Sequence, residues 1–275
     1  MDLDLNRVNA DSLVLMIRAS FTLENWEGIL QISDRLYSEI LQFYEINQSE
    51  RAIGQKVSNF GLARNIVYYF GYSMCMKGVA LEKLGRHAEA RDCIKKYEEL
   101  GWVNGMDAEG WTEVEYYRNI AKANRYVVDL AEGKLEVVPQ YVEFLRNNEE
   151  ELLPGLIYIL EAAIKNGYEI DDILNEYKDQ IESMGEYYET KRNIRYYIDY
   201  IYLQARYFAM KGNITDSINT LLRTLETSVK LKDDTGFRKA AALFETLRYQ
   251  AKPEQLAKYL GVMQQILETR EEFVL

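Results

Sequence analysis

Proline is almost missing from this chain. Pro139, Pro154 and Pro253 are the only three in 275 residues. So few helix breakers, beside abundant Leu, Ala, Glu, Lys and Ile, exclude a turn-rich β architecture and favour an all-helical one. There are two cysteines, Cys75 and Cys93, and one histidine, His87. Neither a disulfide framework nor a Cys/His zinc site can be built from so few, and both cysteines read as reduced core residues. His87 follows a turn glycine and reads as the packing aromatic of a turn, with no catalytic partner for it in the sequence. HExxH, GxxxxGK[ST] and GxSxG patterns are absent, so no enzyme is expected and no cofactor or metal is implied. Acidic pairs such as Glu150-Glu151 and Asp171-Asp172 point to different sides of a helix and read as solvated helix starts.

Positive charge is also scarce. Formal net charge is −11, with 33 basic against 44 acidic residues. A chain without clustered Lys and Arg has no footprint for nucleic acid or for an anionic membrane. No stretch of about 20 apolar residues runs without charge, and the start MDLDLNRVNADSL lacks a basic n-region and apolar core. The expected compartment is the cytoplasm.

Tyrosine, by contrast, is plentiful, with 22 residues. Rings of this kind fill helix–helix seams while their hydroxyls reach a polar edge, or line a groove that contacts a ligand. The pattern around them is helical. Between Tyr72 and Tyr97, Met74, Gly78 and Leu81 recur at helical spacing, Leu84-Gly85-Arg86 interrupts, and Ala90, Ile94 and Tyr97 resume. Gly78 and Ala90 lack bulk, so they mark where two antiparallel helices approach closely, with Gly85 free to take positive φ at the turn. Similar helix–turn–helix units are predicted over about 9–45, 62–100, 108–147, 150–184, 189–228 and 235–270. In the fifth, Ala205 and Ser217 stand where Gly78 and Ala90 stand in the second. Asp11 or Ser12 is the expected first cap and Asp107 a later one, and the stretch after Phe43 reads as a polar loop.

This pattern resembles the tetratricopeptide repeat, a hairpin unit of about 34 residues. The resemblance rests on Gly78, Leu81, Gly85, Ala90 and Ile94, and more weakly on Ala205, Phe208, Gly212, Ser217, Ile218 and Leu221. It implies one all-α domain over residues 1–275, a right-handed superhelical solenoid of five to six hairpins whose first helices line a concave surface. A non-repeating helical bundle is the competing architecture. First-helix residues facing away from their own partners would be Tyr72, Cys75, Met76, Val79, Asn124, Val127, Tyr158, Glu161, Tyr202 and Arg206. Of these Tyr72, Met76, Asn124, Tyr158, Glu161, Tyr202 and Arg206 form the expected peptide-binding set. Asn124 would pair with a peptide backbone amide, Arg206 would fork onto a carboxylate, and Tyr158 and Tyr202 would flank apolar side chains. The alternative is that these residues merely solvate a groove.

The tyrosine-rich repeats, with NWEGIL and VYYFGYSMCMKG, resemble more specifically the C-terminal domain of bacterial peptide-sensing regulators such as Rap, NprR, PlcR and Rgg. That resemblance implies a cytoplasmic, homodimeric receptor for a short signalling peptide, with Asn124 matching the asparagines that hold it. The DNA-binding helix-turn-helix domain that some of these regulators carry is expected to be absent from this chain, which starts almost directly in its first hairpin. The alternative function is a protein–protein interaction scaffold, or a Rap-like regulator that binds a partner protein without DNA.

Overall fold

The computed structural model describes residue 5 and residues 8–55, 60–187 and 194–271. Among them there is no strand, and twelve α-helices account for most of the chain. Two compact units divide it, Met1–Val137 and Val138–Leu275, so the boundary falls inside the third predicted hairpin. The first unit holds α1 (Ala10–Thr22), α2 (Trp26–Ala52), α3 (Ile66–Lys83), α4 (His87–Glu98) and α5 (Ala108–Ala131). The second holds α6 (Val138–Arg146), α7 (Leu152–Asn166), α8 (Asp171–Tyr187), α9 (Ile194–Met210), α10 (Ile214–Leu231), α11 (Asp234–Leu247) and α12 (Pro253–Glu271). Residues 189–193 of the predicted fifth hairpin lie outside the described residues.

In the first unit each helix packs on the next, and in the second α6 packs on α7, α9 on α10 and α10 on α11, a sequential packing consistent with a helical-hairpin solenoid. In the first unit α3 touches α1, α2, α4 and α5, and in the second α9 touches α7, α10 and α11. No described helix is long and apolar enough to cross a membrane.

Asparagine and aspartate start many of these helices. Asn9, Asn25, Asn65, Asp107 and Asn213 each accept a hydrogen bond from the backbone N–H three residues on, at 2.9–3.4 Å. Each thereby satisfies a donor that the first turn leaves unpaired. Asp107 is the cap expected there, but α1 is capped by Asn9 rather than by Asp11 or Ser12. Asp11 is used elsewhere, accepting from the Tyr69 hydroxyl and from Ala63 N.

The close approaches fall on small residues. A Cβ on Gly78 would lie 3.3 Å from the Cys93 Cβ and 3.7 Å from the Ala90 carbonyl oxygen, so α3 and α4 are nearly in backbone contact. In α9 and α10 the equivalent place is closed by a buried hydrogen bond, Ser217 Oγ donating to Ala205 O at 2.9 Å. Gly85 and Gly212 end the first helix of each pair with φ of +74° and +77°, a conformation that costs glycine little. Tyrosine rings fill the seams: Tyr69, Tyr97, Tyr141 and Tyr207 are fully buried.

One expected loop is helix. The polar stretch after Phe43 continues α2 to Ala52, because tertiary bonds hold it. Gln48 and Arg51 donate to the Asn104 carbonyl, Arg51 also to Gly105 O at 3.3 Å, and Tyr44 Oη accepts from Asn104 N at 3.1 Å. Local polarity was a poor guide because the partners lie more than fifty residues away.

Gly71 gives the sharpest test of the packing. A Cβ there would sit 2.1 Å from Tyr117 Cε2, and that ring is 2% exposed. Gly71→Ala is therefore expected to destabilise the first unit by about 1–3 kcal/mol through overpacking. An unchanged urea midpoint in that variant would contradict the α3–α5 contact.

Candidate functional site

The expected groove residues fall on two faces, one in each unit. On α3, Tyr68, Tyr72 and Met76 recur every four residues and are half-buried on one side of the helix. The Tyr68 and Tyr72 rings stack at 5.6 Å with 15° between planes. Arg18 from α1 lies 5.9 Å above Tyr72 and donates to the Tyr68 hydroxyl at 3.3 Å, while Arg64 lies 4.7 Å over Tyr68. Burial pushes the Tyr72 phenol up, with Arg18 opposing, so it stays a neutral hydroxyl.

Asn124 stands beside this face but is already committed. Its Nδ2 donates to the hydroxyl of buried Tyr97 at 2.8 Å and lies 3.8 Å from Cys75 Sγ. Its neighbour Val127 is buried, not groove-facing. The structure thus places Tyr72 beside Arg18 of α1, with Met76 one turn further along the same face of α3, and turns the Asn124 amide inward to Tyr97.

In the second unit Tyr158 and Glu161 lie half-buried on α7, and Arg206 sits 6.0 Å over the Tyr202 ring on α9. A groove in this unit lies elsewhere. A groove of about 660 Å³ runs between α8 and α10, with α9 as its floor. Tyr200, Gln204 and Phe208, four residues apart, present one face of α9 to it. Tyr202 and Arg206 are two positions off that series, about 200° around the helix, and do not line it.

Hydrogen bonds fix the groove's walls. At the start of α8 the Tyr207 hydroxyl accepts from Ile170 N at 3.0 Å and donates to Asp171 Oδ1 at 2.9 Å. Lys211, just past α9, pairs with Asp171 Oδ2 at 3.3 Å and with Glu169. Arg146 of α6 grips Glu176 on the other side of α8 with two bonds, at 2.7 and 2.9 Å. Such a bidentate fork orients as well as attracts. The opposite wall, α10, is fastened to α9 at Ser217.

The lining mixes polar and apolar side chains. Asn175 on α8, Gln204 on α9 and Thr220 on α10 offer amide and hydroxyl groups, with Leu174 and Ile181 of α8 and Phe208 of α9 among the apolar lining. Gln204 has no side-chain hydrogen-bond partner among the described residues. Burial pushes the Tyr200 phenol up to about 12, so it too faces the groove as a neutral hydroxyl. Arg223 on α10 donates to the Tyr197 hydroxyl and lies 5.8 Å over its ring.

Sequence reasoning missed this groove. The apolar stripe Ile218, Leu221, Leu222 and Leu225 marks the buried side of α10, so Asp216, Asn219, Thr220 and Arg223 form its polar side. Periodicity cannot show whether a polar stripe meets bulk water or a neighbouring helix across a cleft.

Among the described residues no three His, Cys, Asp or Glu side chains are grouped to hold a metal ion. The chain matches no protein-family model, and comparison with curated proteins and with solved structures found no match.

Asn124 is expected to act on stability. Asn124→Ala removes the hydrogen-bond partner of the buried Tyr97 hydroxyl and should cost about 1–3 kcal/mol. Adding Tyr97→Phe should recover most of that loss, because no hydroxyl is then stranded. If the double variant is as unstable as the sum of the two single ones in denaturant unfolding, the pairing is not the cause.

Proposed function

We propose that this chain is a tetratricopeptide-like interaction scaffold that holds a short stretch of polypeptide in the α8–α9–α10 groove of its second unit. The observation that carries this reading is Gln204, an amide on the groove floor whose donors and acceptor are left unspent by the described residues. A peptide backbone presents one N–H and one C=O per residue, and a side-chain amide matches both at once. Asn175 and Thr220 extend the same chemistry up the two walls. Apolar Leu174, Phe208 and Ile181 beside them in the lining supply surface for a side chain to cover.

The finer reading, a receptor for a signalling peptide within a transcription regulator, draws its support from resemblance. The asparagine that reading would use is Asn124, whose amide is occupied by Tyr97. A scaffold for a protein or peptide segment is therefore the better-supported function, and the repeat identity and the right-handed superhelix belong to the same proposal.

The test is retention of a randomised pool of three-to-eight-residue peptides on the full chain. Gln204→Ala should lower retention at least tenfold while leaving the unfolding temperature unchanged, since that amide bonds no other side chain or backbone group among the described residues. Equal retention by the variant would remove the groove from the account.

A further inference from the structure

The charges along this groove are sorted by end. Lys211 closes α9 beside Asp171, the first residue of α8, and the Gly212 turn then leads into α10. Both walls therefore start at the same end of the floor helix and run antiparallel to it. Asp171 and Asp216 mark that end, each in the first turn of its helix. Lys178 and Arg223 each stand seven residues further on, at the end where Arg223 reaches Tyr197 near the start of α9.

The balance differs at the two ends. Lys211 is shared between Glu169 and Asp171, and Asp216 has no cationic partner among the described residues, bonding instead to the Asn213 amide at 2.6 Å. That end keeps an excess of negative charge. At the other end neither Lys178 nor Arg223 has a carboxylate within ion-pair distance among the described residues, and Glu182 offsets one of the two.

We propose, building on the reading of this groove as a peptide site, that it selects short peptides by their free ends. The ammonium sits at Asp171 and Asp216, and the carboxylate sits between Lys178 and Arg223. Length follows from geometry. Seven residues of helix span about 10.5 Å at 1.5 Å each, and an extended peptide covers about 3.3–3.6 Å per residue. Three to four residues then fill the distance between the charged ends, with Gln204 meeting the middle of the backbone. Opposite charges at the two ends also fix the direction in which the peptide lies, because reversing it would place like charges together at both ends.

The test uses the full chain and a randomised tetrapeptide library made in four forms: free, N-acetylated, C-amidated and blocked at both ends. Peptides retained after washing are counted by mass spectrometry. The free form is expected to be retained at least tenfold more than the doubly blocked form. Lys178→Gln, on an exposed position that carries no folding role, should abolish the advantage of the free carboxylate and keep that of the free amine. Asp216→Asn should do the reverse, and Arg223→Gln should repeat the lysine result if it folds. Equal retention of all four forms overturns selection by free ends while leaving the peptide groove standing. Retention of none of the forms overturns both. A preference for free ends that survives in Lys178→Gln and Asp216→Asn alike places the ends elsewhere and also overturns the inference.

Discussion

The interaction on which the rest depends is the near-contact of paired helices at small residues. Gly78 on α3 lets the Cys93 Cβ and the Ala90 carbonyl come within one side-chain atom's reach. Helices that close share a deep seam, and buried Tyr97 fills what remains of it. The same logic recurs at Gly71, where the Tyr117 ring occupies the space a side chain would need, and its hydroxyl reaches back to Tyr68 O at 3.1 Å. In the second unit Ala205 and Ser217 do the equivalent work, with a hydroxyl-to-carbonyl bond in place of a bare backbone approach.

The groove follows from that constraint. Because α10 is seated on α9 at Ala205, the rotation of α9 is set, and so is the face that carries Tyr200, Gln204 and Phe208. α8 is placed independently, by the Tyr207 hydroxyl at its first turn and by the Arg146 fork on its far side. Two walls held by different anchors over one shared floor leave a cleft lined by amides and charges. The polar groups there are the residue of packing solved elsewhere. Groups of this sort that the protein does not satisfy itself are the ones a ligand can satisfy.

Much of the fold was legible in the sequence and little of the site. Helix interruptions at Gly85 and Gly212, the capping role of Asp107 and the small pair Ala205 and Ser217 are local signals, set by backbone conformation or by spacing within a few turns. The extension of α2 to Ala52 was not, because its support comes from the loop around Asn104. Asn124 shows the same limit at the site. Its position on α5 beside the α3 face follows from periodicity, but whether its amide points outward or to Tyr97 depends on a hydroxyl contributed by α4. Tyr202 and Arg206 sit on a surface of α9 that periodicity could identify, whereas the cleft lies on the other side, between α8 and α10.

The most direct measurement is backbone hydrogen exchange on the full chain with and without the short-peptide pool. Added protection confined to segments 171–182, 200–211 and 213–223 is the result this account predicts. Protection appearing on the α3 face of Tyr68 and Tyr72, with the α8–α10 segments unchanged, would contradict it.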